Sequence, residues 1–287
     1  MRWLRADFLL LHFAPFAIST TPGPIMILKL PLSVCLAAAL FGATGAANAE
    51  TTGSLRFGIE AAYPPFESKS PTGQLQGFDV DVGNAVCAKL GVKCVWVENS
   101  FDGLIPALQA RKFDVINSAM NITSKRKQSI DFTPPIYIVP IVMVVKHGSP
   151  LLPDVKSMQG KRVGVLQGSS QEDFLKQHWA NAGVSVVSYQ DQDQVYADLT
   201  AGRLDAAVQE AQTVQEGFLD KPAGHDYMIV GEPLKDPATL GEGTGFGLRK
   251  GDKALGAKID TALDELKKDG TLSKLSIKYF KRDIIAK

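Results

Sequence analysis

From Leu55 onward the apolar residues fall into short runs of two alternating kinds. Leu55-Arg56-Phe57-Gly58-Ile59 alternates with the period of two that marks a strand, and Tyr63-Pro64-Pro65-Phe66 breaks it into a loop. Gly73 marks a turn before Gly77-Phe78-Asp79-Val80-Asp81, after which Val82, Ala85, Val86, Lys89 and Leu90 keep helical spacing until Gly91 ends the run. Cys94 to Val97 reads as the next strand, Phe101 to Ala110 as a helix, and Val115-Ile116 as a third strand. The order β-α-β-α-β predicts a doubly wound α/β sheet.

The same succession then starts afresh. Ile141 to Val145 has the continuous apolar pattern of a fully buried strand, and Lys161 to Leu166 opens a second βαβ series. A helix follows Gln167-Gly168-Ser169-Ser170 through Phe174, Leu175 and Trp179; Val184 to Val187 is a strand and Val195 to Ala201 a helix. An internal echo ties the two halves together. Leu108-Gln109-Ala110-Arg111-Lys112-Phe113-Asp114-Val115-Ile116 recurs as Leu199-Thr200-Ala201-Gly202-Arg203-Leu204-Asp205-Ala206-Ala207. Each copy is a helix end, a basic turn and a short apolar strand. Each strand runs into polar residues, Asn117, Ser118 and Asn121 in one copy and Gln209 and Glu210 in the other. Ligands of open α/β sheets sit beyond the carboxyl ends of the strands, so two such ends predict a cleft between two lobes. Leu240 to Gly245 is glycine-dense, Phe246-Gly247-Leu248 adds one strand, and helices through Ile259, Leu263, Leu266, Leu272, Leu275 and Phe280 close the chain. This reading divides the chain into a first lobe of 50–139 and 241–287 and a second of 140–240, joined by two crossings that act as a hinge.

The first 49 residues stand apart from this pattern. Lys29, the apolar run Leu30 to Phe41 and the small residues of Ala47-Asn48-Ala49 form the three parts of a secretory signal, with Met26 an alternative start for an otherwise long leader. A membrane anchor fits less well, because the uninterrupted apolar run falls short of the roughly 20 residues that span a bilayer. Beyond it only Cys87 and Cys94 are left. In an oxidising compartment they are expected to form a disulfide closing a small ring; the rival metal pair is disfavoured by the scatter of the four histidines. Removing Arg2, Arg5, Lys29 and Asp7 with the leader leaves 28 basic and 29 acidic residues, a net charge of −1. No basic field is present to attract nucleic acid.

Three places answer the demands of a free α-amino acid, whose carboxylate needs a guanidinium or helix-start amides and whose ammonium needs a carboxylate. They are Ser118 to Arg126, with an arginine eight residues beyond a strand-end serine; Gln167 to Gln171, opening a helix; and Glu210 at a strand end. Asp79 and Asp81 read as caps of the helix that follows them, and Gly243-Thr244-Gly245 as hinge glycines rather than a phosphate loop, since no Lys-Ser/Thr follows. No metal site, cofactor or Ser/His/Asp set is discernible, and Glu60 or Glu210 is the only kind of acid a rival enzymatic reading has to offer.

On these residues the chain resembles the periplasmic solute-binding proteins of polar and basic amino-acid ABC transporters, family 3, and among them the lysine/arginine/ornithine- and histidine-binding members. The strings that carry the resemblance are Gly77-Phe78-Asp79-Val80-Asp81, Phe101-Asp102-Gly103-Leu104-Ile105-Pro106-Ala107-Leu108, Val163-Gly164-Val165-Leu166-Gln167-Gly168-Ser169 and Gly243-Thr244-Gly245, within a match from Leu55 to Phe280. It implies a two-lobed type II binding-protein fold, a periplasmic location, a monomer, no cofactor, and delivery of ligand to an inner-membrane permease. It also implies that Arg126 grips the α-carboxylate with help from the Ser170 and Gln171 amides, that Ser169 belongs to the ligand-binding set, and that Glu210 and Ser118 take the α-ammonium. Ala119 and Asn121 line the site, Tyr63 and Phe101 sandwich the side chain, Glu60 meets its distal charge, and Cys87 and Cys94 match the family disulfide. The chain departs from the basic-amino-acid pattern at Glu60 and Glu210, where aspartate is usual, and at Ala119 and Asn121, where serines are common. Glu60 and Ala119-Met120 are similar to the opine-binding branch. The same scaffold also serves periplasmic dehydratases and ligand-presenting sensors.

Overall fold

A computed structural model describes residues 53–287, so the leader, with Met26, lies outside the described residues. Two five-stranded sheets organise the chain. The first runs in the order Lys93–Glu98, Ser54–Ile59, Val115–Ile116, Gly247–Arg249, Ile130–Phe132; the second runs Ser185–Tyr189, Arg162–Leu166, Ala206–Glu210, Ile141–Lys146, Tyr227–Leu234. In each sheet three strands pair in parallel, as βαβ units require, and two antiparallel strands complete one side. A small antiparallel sheet of Ala62–Tyr63, Glu67–Lys69 and Leu75–Gln76 stands beside the first.

The sequence echo is a structural echo down to single contacts. Arg111 and Gly202 occupy equivalent turn positions and both are left-handed, with φ of 59° and 70°. Glycine adopts that conformation without a Cβ penalty; Arg111 accepts it to bring Phe113 inward. A Cβ added at Gly58 would lie 2.3 Å from the Phe113 ring, and one at Gly164 would lie 2.4 Å from Leu204. Each glycine therefore lets its echo's apolar residue press onto the neighbouring strand. Asp114 accepts from the Arg56 backbone N–H at 3.2 Å and from its Nε at 3.0 Å; Asp205 repeats both bonds with Arg162 at 2.8 and 3.2 Å.

The first core gathers Phe57, Phe66, Phe78, Leu104, Leu108, Phe113, Tyr137 and Phe246 around the first sheet. The second sheet is covered by separate clusters, one around Met143, Val163, Val165 and Leu175 and one around Val144, Val195, Leu199 and Phe218. The helix Phe78–Leu90 ends at left-handed Gly91, and Cys87 in its last turn is disulfide-bonded to Cys94 in the adjoining strand. Chain entropy assigns so short a ring about 2.5 kcal/mol.

One expectation fails at this helix. Its N-cap is Gly77, and no side chain caps it. Asp79 and Asp81 lie inside the first turn, beyond the position from which a cap reaches the free amides, and tertiary partners claim them. Asp79 is drawn into the core by Tyr137 and Ala119, and Asp81 accepts from Lys278 Nζ at 2.7 Å and from the Tyr279 hydroxyl at 2.8 Å.

The chain passes from the first sheet to the second through residues 133–140 and returns through 235–246. The two passages are bonded to each other: Thr244 N–H donates to Tyr137 O at 2.9 Å and Ile136 N–H to Thr244 O at 2.7 Å. Among the described residues no helix is long and apolar enough to cross a membrane.

Candidate ligand-binding cleft

The carboxyl ends of both central strands open onto one cleft, and the side chains singled out in the sequence meet there. Arg126 follows Thr123, whose hydroxyl caps the short helix Ser124–Ser129 by accepting from the Arg126 N–H at 3.2 Å. Its guanidinium is buried, 5.4 Å from the centre of the Phe101 ring. Nη1 donates to Asn121 O at 2.8 Å, and Nη2 crosses the cleft to Gly168 O at 2.9 Å. Burial lowers its pKa to about 10, with Asp173 and Glu210 opposing the shift, so it stays charged at neutral pH.

Opposite stands the start of the helix Ser170–His178. Ser169 is its N-cap and accepts from the Glu172 N–H at 3.0 Å. Ser170 accepts from Asn121 Nδ2 at 3.1 Å and donates to Gln171 Oε1 at 3.2 Å. Glu210, at the end of its strand and buried, accepts from Asn121 Nδ2 at 2.8 Å and from the Tyr63 hydroxyl. Tyr63 thus carries a polar role beside its expected one as a wall. Two further bonds join the rims: Gln167 Nε2 donates to Asp102 Oδ2 at 2.7 Å, and Lys125 Nζ to Asp173 Oδ1 at 2.7 Å.

Glu60 directly follows the strand Ser54–Ile59 and is only 5% exposed. Burial pushes its carboxyl up to about 7; the Ala62 N–H works against the shift, while Asp191 and Asp193 add to it. Ser118 and Ala119 are turned differently from the rest. The Ser118 hydroxyl accepts from the Glu60 N–H at 2.9 Å and donates to Glu67 Oε1 at 3.0 Å, and the Ala119 N–H donates to Asp79 Oδ2 at 2.7 Å. Their hydrogens are spent behind the cleft. Ser118 keeps one acceptor lone pair.

Sequence reasoning missed Glu67 altogether and misread Asp79. Both carboxyl groups are almost fully buried behind the segment 117–121. Nothing local marked Glu67, which looks like any polar residue in a short strand. Among the described residues no group of His, Cys, Asp and Glu is arranged to hold a metal.

With this geometry in place, the relationships are clear. Residues 55–282 match the model of the bacterial extracellular solute-binding proteins, family 3, and the chain belongs to that family. It is 47% identical over 256 residues to the histidine-binding periplasmic protein of Escherichia coli K12, covering 89% of this chain and 98% of that one. It is also 47% identical to the lysine/arginine/ornithine-binding periplasmic protein of the same organism, over 88% of this chain and 96% of that one. Among solved structures, an ancestral arginine-binding protein bound to arginine superposes with a TM-score of 0.74 at 38% identity, covering 79% of this chain and 98% of the other. An ancestral amino-acid-binding precursor of cyclohexadienyl dehydratase is similar too, with a TM-score of 0.69 at 31% identity over 79% of this chain and 96% of the other.

Proposed function

We propose that this protein is the periplasmic binding component of an ABC importer, capturing a basic L-amino acid and presenting it to a membrane permease. The observation that carries the reading is the charge balance of the cleft. Glu60 and Glu210 are buried facing it, and among the described residues Arg126 is the only buried basic side chain. A buried carboxylate needs a partner of opposite sign, and a ligand with one carboxylate and two cationic ends supplies it. In this reading Arg126 and the amides of Ser170 and Gln171 hold the α-carboxylate, while Ser169 fixes that helix start. Glu210, oriented by Tyr63 and Asn121, takes the α-ammonium with Ser118. Tyr63 and Phe101 flank the stem of the side chain, and Glu60 receives its far end. The relatives named for histidine, lysine, arginine and ornithine support the ligand class, and their periplasmic location supports the compartment. Residues 1–49 serve as the export signal, and the protein works as a monomer.

Calorimetry with free amino acids tests the proposal. Arginine, ornithine and lysine are expected to bind, histidine more weakly, and glutamate and leucine very weakly. Glutamate or leucine matching arginine would overturn it. Because Glu60 and Ala119 are similar to the opine-binding branch, octopine belongs in the same series, and an affinity far above arginine's would move the protein there.

Lobe closure is part of the same proposal. The first lobe comprises 50–139 and 241–287 and the second 140–240, turning about the paired crossings. Gly168, at φ 75°, meets the opposite rim so closely that a Cβ would lie 2.8 Å from Asp102 Cα. Gly168→Ala carries two penalties of different kinds. The left-handed strain is present whether the lobes are open or closed, so it lowers Tm and cancels from affinity. The clash exists only when the rims meet. Arginine affinity is therefore expected to fall at least tenfold, and a variant with lowered Tm but unchanged affinity would argue against closure at this rim.

A further inference from the structure

The geometry points to Glu67 and Asp79 as positioning residues of the cleft: the two carboxyl groups hold the segment Asn117–Asn121 in the arrangement that receives ligand. The inference rests on the reading of the cleft as an amino-acid site and adds to it a support lying behind the residues that face the ligand.

Four hydrogen bonds carry it. Asp79 Oδ2 accepts from the Ala119 N–H at 2.7 Å, and the Asp79 carbonyl accepts from Asn117 Nδ2 at 2.6 Å. Glu67 Oε1 accepts from Ser118 Oγ at 3.0 Å, and the same Oγ accepts from the Glu60 N–H at 2.9 Å. The pair thus grips three consecutive residues of the segment and, through Ser118, the backbone of Glu60. Ala119 needs such a grip, since it is left-handed at φ 43°, a conformation an alanine does not keep unaided. Two residues later Asn121 offers its carbonyl to Arg126 and its side chain to Glu210 and Ser170. A slip at Ala119 therefore moves the hydrogen-bond partners on both sides of the cleft.

The arrangement also bears on the charge of the pair. Glu67 is 1% exposed and its Oε2 has no donor within reach. The titratable groups that face it are Asp79, Glu60, Glu210 and Tyr137, and none is basic. Asp79 is faced by Glu67 and by Tyr137, whose hydroxyl donates to both of its oxygens at 3.0 and 3.1 Å. Two ionised carboxylates cannot share such a place. A proton shared between the Glu67 and Asp79 carboxyl groups removes one charge from the pair. Burial and the neighbouring carboxylates push Glu67 well above its ordinary value, in keeping with an un-ionised acid there. Glutamine has the same donor and acceptor and no charge, so it is the natural replacement.

The experiment measures L-arginine affinity by calorimetry at pH 7, well below each variant's Tm, for Glu67→Gln, Glu67→Leu and Arg126→Ala, with hydrogen exchange of the Ala119 amide in parallel. Glu67→Gln is expected within threefold of wild type with the Ala119 amide still protected. Glu67→Leu is expected to lose at least tenfold, with faster exchange at Ala119. A Glu67→Leu protein that unfolds cooperatively at lower temperature yet binds arginine as wild type does overturns the inference, because its role is then structural only. Should Glu67→Leu not fold, Tyr137→Phe withdraws the donor that steadies Asp79 at almost no change in volume. It is expected to weaken arginine at least threefold, and unchanged affinity overturns the inference equally. Loss in Arg126→Ala alone overturns the positioning role and leaves the site reading standing; loss in neither overturns both.

Discussion

Arg126→Ala is expected to remove tight ligand binding while leaving a folded protein. The guanidinium bridges Asn121 O on one side of the cleft and Gly168 O on the other, and lies against the Phe101 ring. It is also the only buried basic group available to an incoming carboxylate among the described residues. Removing one member of a buried, hydrogen-bonded charge pair costs about 2–5 kcal/mol, which is roughly 30- to several-thousand-fold in affinity. Alanine also withdraws a bond that spans the cleft, which places the expected loss toward the upper end. Arg126→Lys keeps the charge and gives up the planar fork, so it should recover only part of the loss. A titration showing less than a tenfold decrease for the alanine variant would remove Arg126 from the site.

Arginine affinity should also depend steeply on pH, through Glu60. Burial holds this carboxyl up to about 7, so near neutrality it is shared between its protonated and ionised forms. A guanidinium binds the ionised form, and binding must expel the proton. Affinity is therefore present above pH 7 and falls below it by about tenfold per unit. Between pH 7.5 and pH 5 the expected loss is on the order of a hundredfold. Stability of the free protein moves the other way. The folded pKa lies above the ordinary 4.5, so this group's contribution is full at low pH and is lost as pH rises through 7. Glu60→Gln should flatten both slopes, and it should weaken arginine by about 1–3 kcal/mol while sparing citrulline. Calorimetry in buffers of different ionisation enthalpy should find about half a proton released per arginine at pH 7. No proton release, or equal losses for arginine and citrulline in the Gln variant, would take Glu60 out of contact with the ligand's charge.

Four strands of each sheet and the cleft were legible because their signals are local or repeated, whereas the terminal strands Ile130–Phe132 and Tyr227–Leu234 were not read. The period-two runs mark the strands, and the echo marks the third strand of each sheet by its helix end, turn and apolar pair. The echo even carried the Arg56–Asp114 and Arg162–Asp205 pairs, although nothing in the sequence said that the aspartates bond back to those arginines. Arg126, Glu210 and Gln171 stood out partly by position and decisively through the family resemblance. What stayed hidden depends on distant partners. Asp79 looked like a cap because aspartate early in a helix commonly is one; Tyr137, 58 residues away, turns it inward. The Tyr63 hydroxyl reaches Glu210 across 147 residues. Glu67 carried no mark at all, since an acidic residue in a three-residue strand is ordinarily solvated, and only the packing of Ser118 and Asp79 against it makes it unusual.

The place of Gly247–Arg249 in the first sheet governs the order in which this chain can become competent. Every strand of the second sheet comes from one unbroken stretch, Ile141 to Leu234, so that sheet can close from its own segment. The first sheet cannot. Gly247–Arg249 lies between Val115–Ile116 and Ile130–Phe132, and those strands have no other neighbour on that side. Closing it means joining ends separated by the whole second sheet, an entropic cost met only once that sheet is compact. The receiving segment waits on the same event, because Ile122 N–H is tied to Gly243 O at 2.8 Å. The half that comes first in the chain is thus finished last. A ligand seat can exist only in a molecule in which the segment Gly243–Arg249 has come back to the first sheet, so capture of ligand reports that both sheets are closed.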